Sequence, residues 1–297
     1  MHIDLHMHTT CSDGDTSPES VLLQCESAGL DIVAITDHDT LEAHQILTDS
    51  QIPSNILLIP GVELSVSSDV DGLKHHLLAY FPQFSRGSSP TFKTNVPFSN
   101  EFIQFSESLN KMREARIQRA FNYFKKLNEV YSLNLDFEEF CVLNKINLIN
   151  KTSENVIGRP LIAKYLVLKG LIEKSGDAFK SYLSDNSPAY QALPKTSMED
   201  NIKQVKKIGG KCFIAHPGIW GYTEEQVQKH IQSAQAAGLD GIEKYHSEQT
   251  YACEGVVSRG SDFHGPSVKA DTFLNVTQGN LTETEEKTLL DTLFGKQ

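Results

Sequence analysis

The sequence predicts an α/β fold in which a barrel-like sheet is interrupted by a mostly helical insertion. Short apolar runs alternate with amphipathic stretches through the first 80 residues, which is the pattern of βα units. Residues 101–190 have a mostly helical pattern, and strand-like runs return from residue 211 onwards. A chain of 297 residues is long enough for one large α/β domain with an insertion, which we favour over two small domains.

Local signals predict the individual elements in turn. A first crossover helix is expected to begin at Pro18, after Ser17, and to end before Gly29. The strand-like runs are residues 32–35, 56–59, 213–215, 241–245 and 256–259. From Pro82 to about Asn100 the chain lacks periodicity, which indicates a long loop or an insertion. The predicted domains are a barrel domain, residues 1–82 and 191–297, and an insertion, residues 83–190.

The acidic composition argues against a long nucleic-acid-binding surface. A formal net charge of −11 leaves no broad basic face, whereas a small anionic substrate held by metal ions stays compatible with it. Five scattered cysteines without a C-x-x-C pair predict neither a zinc ribbon nor a disulfide framework. Since no signal-peptide pattern and no apolar run of about 18 residues is found, we expect a cytoplasmic protein without membrane contact.

The first strand, HIDLHMH, carries many polar side chains. Strand alternation places Ile3, Leu5 and Met7 on one face, and His2, Asp4, His6 and His8 on the other. Both faces of a barrel strand are usually buried, and a metal cluster would offset the cost of burying such groups. The alternative is an exposed edge strand with a solvated polar face. Asp13, before Gly14, is either a further ligand or a turn residue.

Five further polar clusters lie at the ends of apolar runs: four follow such a run, and the pair His75 and His76 opens one. They contain Asp37, His38 and Asp39; Glu63; His75 and His76; His216; and Asp262 and His264. Each cluster alone also fits a loop or turn, but six clusters at six predicted strand ends indicate one shared site at the carboxyl end of the barrel. Nitrogen and oxygen ligands without thiolates suit Mn, Fe, Zn or Mg, and several carboxylates allow more than one ion.

The motifs HMHTTCSDG, TDH, GVE, HHLLAY, AHPG and SDFHG, in this order, resemble those of the polymerase-and-histidinol-phosphatase (PHP) family of metal-dependent phosphoesterases. The resemblance covers nearly the whole chain. It implies a distorted (β/α)7 TIM-like barrel with metal ions at the carboxyl ends of its strands and a small helical insertion that covers them. We therefore expect two or three divalent ions, with Mn first and Fe, Zn or Mg as alternatives.

The resemblance also implies the ligands. A first ion is assigned to His6, His8, Glu63 and Asp262, a second to Asp13, His38 and His264, and a third to His76, Glu63 and His216. His76 is preferred to His75 because Ala79 and Tyr80 follow it as in the family strand, which turns His75 the other way. Asp13 and His264 are also predicted to be catalytic. Asp37 and Asp39 are interpreted as groups that orient ligands, and His44 and His230 as surface histidines.

Candidate substrate contacts are predicted outside the ligand set. Arg159, in the motif IGRP, resembles the family's phosphate contact and is predicted to act in catalysis; the alternative is a surface charge at a helix start. Arg113 and Arg116 share a helix face, and either bind substrate, for which Arg116 is the candidate, or are solvated. His246 is a further substrate-binding candidate.

The resemblance is strongest to the family branch of bisphosphate phosphatases and exoribonucleases. The expected reaction is hydrolysis of nucleoside 3′,5′-bisphosphates or short 5′-phosphorylated oligonucleotides. The alternatives are a histidinol-phosphatase-like enzyme and a catalytically silent metal- or nucleotide-sensing protein. Only fourteen residues separate His246 from Ser261, too few for a full helix, which predicts a barrel flank that is open or filled by a partner. The oligomeric state is left open.

Overall fold

The structure is a computed structural model that describes residues 1–68, 72–88, 97–148, 152–153, 157–192 and 197–296. The chain divides into two compact units. Met1–Glu107 and Lys195–Gln297 form one, which we call the barrel unit, and Ser108–Pro194 form the other, which we call the helical unit. The predicted insertion, residues 83–190, therefore differs from the helical unit at both ends.

The barrel unit contains a row of seven hydrogen-bonded strands. They are β1 (Ile3–Asp4), β2 (Ile32–Ile35), β3 (Leu57–Ser67), β4 (Lys74–Tyr80), β5 (Lys211–Ile214), β6 (Gly241–His246) and β7 (Val257–Gly260). Strand β4 is antiparallel to both of its neighbours, and the other pairs in the row are parallel. Backbone hydrogen bonds from Leu5 to Arg259 (3.1 Å) and from Asp262 to His6 (2.8 Å) join the two ends of the row. The predicted distorted barrel is confirmed.

The described part of the chain contains nine α-helices. They are α1 (Pro18–Ser27), α2 (Glu42–Ile46), α3 (Asn100–Tyr131), α4 (Phe137–Leu143), α5 (Arg159–Leu168), α6 (Ser175–Ser181), α7 (Met198–Lys207), α8 (Glu224–Ala237) and α9 (Glu283–Phe294). Helix α1 begins where the sequence predicts, because the Ser17 side chain accepts a hydrogen bond from the Ser20 amide and Pro18 occupies the first turn. No helix among the described residues combines the length and apolar character needed to span a membrane.

The HIDLHMH segment departs from the predicted alternation. Ile3 and Leu5 pack in the cluster that also holds Ala34 and Phe213, whereas Met7 packs with Val33 in a different cluster. The prediction that Ile3, Leu5 and Met7 share one face is therefore wrong. Only Ile3–Asp4 is regular strand, and the irregular backbone that follows allows the chain to change face.

The start of α3 explains why the barrel unit extends beyond residue 82. Phe102 packs edge-to-face on Phe81, at a centroid distance of 4.9 Å, and stacks on Phe98 at 4.5 Å. The chain before it forms a short strand, Arg86–Gly87, that pairs with β3, and residues 89–96 lie outside the described ones. The helical unit has its own core, in which Phe124, Phe140 and other side chains of α3–α6 are buried.

The flank beside β6 and β7 is covered by the chain itself. Leu289 and Leu293 of α9 are buried in the same cluster as Ile3. The amide of Gln278 donates to the His246 carbonyl (2.8 Å), so the segment before α9 runs along β6. The predicted open or partner-filled flank is wrong at β6, because the segment from Gln278 to Glu285 lies against this strand, with Glu285 Oε1 2.7 Å from Lys244 Nζ.

Candidate metal centre

Nine side chains with nitrogen or oxygen ligand atoms converge at one end of the barrel unit. His6, His8 and Asp13 follow β1; His38 follows β2; Glu63 lies in β3 and His76 in β4; His216 follows β5; and Asp262 and His264 follow β7. The parallel strands direct their carboxyl ends towards this site, which is where enzymes with a barrel fold carry their active sites. His76 lies near the beginning of its strand, because antiparallel β4 directs its amino end to the same side.

His6, His8, Glu63 and Asp262 form the most deeply buried group. The Nε2 atoms of His6 and His8 lie 3.1 Å apart, and both lie 3.2–3.3 Å from Glu63 Oε2 and Asp262 Oδ1. One ligand atom of each residue lies within 4.8 Å of the other three. Two imidazole nitrogens and two carboxylate oxygens around one point are a suitable ligand set for a divalent ion.

Asp13 connects a second group. Its Oδ1 lies 3.5 Å from His8 Nδ1 and 3.4 Å from His264 Nε2, and its Oδ2 lies 3.7 Å from His38 Nε2. The structure thus brings together the three residues predicted for the second ion, and His8 joins them. The Asp13 side chain is 36% exposed, so this group faces solvent.

Glu63 links the groups to one another. Its Oε1 lies 2.9 Å from both His76 Nδ1 and His216 Nε2, and its Oε2 lies 3.1 Å from His38 Nδ1. The residues predicted for the third ion are therefore together, and His38 is close enough to complete a group with Glu63 and His76. Because its two oxygens face different histidines, one carboxylate can serve two ions.

Burial and mutual charge shift the pKa values in the cluster. Burial alone would lower the pKa of His8, but Asp262 and Glu63 raise it to about 10. Burial lowers the pKa of His38 to about 4. Burial would raise the pKa of Glu63, yet His38, His76 and His6 hold it well below its usual range. Ionised carboxylates thus face a protonated His8, which holds a proton where a cation would otherwise bind, whereas His38 stays neutral near pH 7.

The donor set fits divalent ions. The Nε2 atoms of His6 and His8 face each other and two carboxylates. A single cation between them would satisfy all four ligand atoms better than these atoms can satisfy one another. Nδ1 of His216 is buried without an aligned hydrogen-bond partner. The donors are imidazole and carboxylate groups, which suit Mn, Fe or Zn, with Mg favouring the carboxylates.

Glu243, in β6, contacts two of the predicted ligands, and the sequence did not predict its role. Its Oε1 lies 3.0 Å from His6 Nδ1, and its Oε2 accepts a hydrogen bond from the His216 amide (2.8 Å). A carboxylate on the second ring nitrogen fixes the tautomer and orientation of a ligating histidine. His216 has φ 32°, a left-handed conformation that few non-glycine residues adopt, and the Glu243 contact holds it there.

The loop that carries Asp13 and the loop that carries His264 are hydrogen-bonded to each other. The Asp15 amide donates to the His264 carbonyl (2.9 Å), and Asp15 Oδ2 accepts from the Ser267 amide (2.7 Å). Gly265 has φ +88°, and a Cβ atom there would collide with the Asp15 carboxylate. Glycine is therefore required at this position if Asp13 and His264 are to stay together.

The predicted orienting aspartates bind backbone amides and hydroxyl groups rather than the ligand rings. Asp37 accepts hydrogen bonds from the Thr9 amide and from Ser12 Oγ, at 2.7 and 2.6 Å. Ser12 Oγ in turn lies 3.4 Å from His8 Nδ1, so Asp37 is one step removed from a ligand. Asp39 accepts from the Ser65 amide (2.8 Å), two residues beyond Glu63 in β3.

The predicted substrate-binding residues have different surroundings. His246 is buried, and its Nε2 lies 3.2 Å from Asp262 Oδ2, which places it beside the ligand cluster. Arg159, in the helical unit, directs Nη1 to the Leu183 carbonyl (2.9 Å) and to Asp185 Oδ1 (2.5 Å). The side chains of Arg113 and Arg116 are largely buried, so the interpretation of a solvated helix face is wrong for them.

Two histidines expected at the surface are buried. His44 Nε2 lies 2.9 Å from the Ile35 carbonyl and 3.1 Å from the Gly61 amide, and burial lowers the pKa of His44 to about 4. His230, on α8, is fully buried, and its ring lies 4.7 Å from that of His75. His75 also stacks on Trp220 at 4.6 Å, so it faces away from the ligand cluster.

Comparisons with known proteins add to this geometry. The family model of the PHP domain matches residues 4–177. The 5'-3' exoribonuclease of Haemophilus influenzae is 26% identical over 274 residues, which cover 89% of this chain and 90% of that protein. The 3',5'-nucleoside bisphosphate phosphatase of Chromobacterium violaceum is 26% identical over 278 residues, with coverage of 89% and 88%. A solved structure from Bifidobacterium adolescentis, described as a metal-dependent phosphoesterase, gives a TM-score of 0.66 at 27% identity and covers 98% of this chain and 96% of that chain.

Proposed function

Because the chain belongs to the PHP domain family, we propose that it hydrolyses phosphate monoesters of nucleotides with the aid of two or three divalent ions. The observation that carries this proposal is the set of overlapping ligand groups around Glu63, each formed by imidazole nitrogens and carboxylate oxygens. Shared ligands keep several cations close together, which suits a reaction that must stabilise charge on more than one phosphoryl oxygen.

The residues of the centre have two roles: some hold the ions, and others lie where the ester reacts. Bound ions would supply positive charge to the phosphoryl oxygens and lower the pKa of an attacking water. His6 and His8 lie deepest and anchor the centre. Asp13 is the most exposed of the ligands, and we assign it and neighbouring His264 to the solvent-facing edge where the ester reacts.

We infer that the substrate is a nucleoside 3′,5′-bisphosphate or a short 5′-phosphorylated oligonucleotide. Two relatives that match nearly the whole chain are named for these activities. The net charge of −11 favours a small ligand held locally by cations over a long nucleic acid bound along a surface. Among the ions that this donor set accepts, we expect Mn to support the reaction best.

The released products test the proposal: inorganic phosphate from a monoester, or nucleoside monophosphate from an oligonucleotide. The chelator-treated protein is supplied with Mn²⁺ and offered an adenosine 3′,5′-bisphosphate, a 5′-phosphorylated trinucleotide, histidinol phosphate or an aryl phosphate. We expect hydrolysis only after Mn²⁺ is added, with the highest kcat/KM for one of the two nucleotides. Best turnover of histidinol phosphate would favour the alternative phosphatase, and binding of Mn²⁺ and nucleotide without any release would indicate a sensing protein.

A further inference from the structure

The loop after β7 brings a lysine to the metal centre. The Lys269 ammonium nitrogen, Nζ, lies 2.6 Å from Asp262 Oδ2 and 2.9 Å from Glu248 Oε1. The backbone of Lys269 is held in place, since its amide donates to the Gly265 carbonyl and its own carbonyl accepts from Thr272. Its side chain is 31% exposed, which places the ammonium between the buried ligands and solvent.

The two oxygens of Asp262 have different neighbours. Oδ1 faces the Nε2 atoms of His6 and His8, at 3.3 and 3.2 Å, whereas Oδ2 faces Lys269 and His246. A cation held by the first group would therefore bind Oδ1. Lys269 forms an ion pair with the other oxygen of the same carboxylate. A molecule bound to that cation would therefore lie within reach of the flexible lysine side chain.

The contacts of Lys269 compete with one another. Its ammonium is shared between Asp262 and Glu248, and the Glu248 side chain is half exposed. A divalent ion on Asp262 Oδ1 withdraws negative charge from that carboxylate and weakens its attraction for the ammonium. A phosphoryl group brings new negative charge to the same place, and lysine binds phosphate as a mobile point charge.

We propose that Lys269 is a substrate-binding residue whose ammonium moves from Asp262 to a phosphoryl oxygen of the bound ester. This inference rests on the proposed function and assigns its phosphate contact to the barrel unit. Glu248 then acts as the competitor that draws the ammonium away from phosphate. Removing Lys269 and removing the charge of Glu248 should therefore change phosphate affinity in opposite directions.

The test measures binding of inorganic phosphate to the full-length, Mn²⁺-loaded protein by calorimetry and by competitive inhibition. Lys269→Met should raise the Kd of phosphate by about tenfold or more, with an unchanged Mn content per chain. Lys269→Arg should keep most of the affinity, and Glu248→Gln should lower the Kd. The matched control is Lys287→Met, which removes the same charge from an exposed position on α9 and should change the Kd by less than about twofold.

Two results would overturn the assignment. If Lys269→Met binds phosphate as tightly as the parent, the lysine does not contact phosphate. If it binds fewer Mn ions, Lys269 supports Asp262 as a ligand and is not a substrate contact. A parent protein that binds Mn but neither binds phosphate nor hydrolyses esters would refute the proposed function itself, which separates that failure from the first two.

Discussion

Replacing Glu243 with glutamine tests whether a buried carboxylate orients the metal ligands. The parent carboxylate accepts hydrogen bonds from the His216 amide at 2.8 Å and from His6 Nδ1 at 3.0 Å. A glutamine keeps one acceptor oxygen but presents an NH2 group to one of these two donors. The loss of one charge-assisted hydrogen bond is worth about 1.5–3 kcal/mol, which predicts ion binding weaker by about 10- to 100-fold.

Competition with a chelator of known Mn²⁺ affinity measures this change. The matched control is Glu199→Gln, because Glu199 is also a buried glutamate of the barrel unit but accepts its hydrogen bond from Ser233 (2.6 Å) on α8. We expect Glu243→Gln to lose ion affinity while its urea unfolding midpoint in the absence of metal stays close to that of the control. Equal ion affinities of the two variants would refute the orienting role of Glu243.

Three further changes probe a loop, a helix and the helical unit. Gly265→Ala should lower the free energy of unfolding by about 1–3 kcal/mol in urea denaturation, because the new Cβ collides with Asp15. Burial alone would raise the pKa of Glu285, but the hydrogen bond from Lys244 lowers it to about 2. The ion pair therefore stabilises α9 fully above about pH 4.5, and this stabilisation is lost as the pH falls towards 2. Glu285→Gln should therefore cost about 1–2 kcal/mol at pH 7 and little at pH 2 in thermal unfolding, after allowance for partial exposure. If Arg159 holds the second phosphate, as the sequence predicts, Arg159→Ala should lower kcat/KM at least about tenfold more for a 3′,5′-bisphosphate than for an aryl phosphate in steady-state assays, because only the former has a second phosphate to hold.

Each of these expectations has a contrary result. Unchanged stability of Gly265→Ala would show that the two ligand loops are not fastened through Asp15. A stability loss in Glu285→Gln that is the same at pH 7 and pH 2 would exclude the ion pair with Lys244 as its cause. An equal fall for both substrates would remove Arg159 from phosphate recognition.

The convergence of these polar side chains was predictable because they interrupt apolar strands in a recognisable order. His38 and His216 follow buried strands, and Glu63 lies within one. Packing alone would favour apolar side chains at these places. The strand predicted over residues 56–59, in contrast, stops short of Pro60-Gly61, yet β3 continues to Ser67 because β4 pairs with it along that length. Tertiary pairing here overrides a local turn signal.

The supporting residues were not predictable from spacing. Glu243 is a single acidic residue in a strand, and Lys269 is a single lysine in a loop. The sequence around each of them looks the same as it would around an ordinary solvent-exposed charge. The burial of His44 and His230 depends on neighbouring segments distant in sequence, which helical periodicity cannot reveal. The change of face before Met7 escaped prediction because alternation assumes a regular strand.

The number of divalent ions bound per chain tests the central claim most directly. Elemental analysis of protein reconstituted with Mn²⁺ and freed of excess ion should give two or three ions per chain. Glu63→Gln should lose more than one of them, because both oxygens of this carboxylate face histidines of different groups. A parent protein that retains no ion, or a Glu63 variant that retains as many as the parent, would contradict the account of a shared-ligand metal centre.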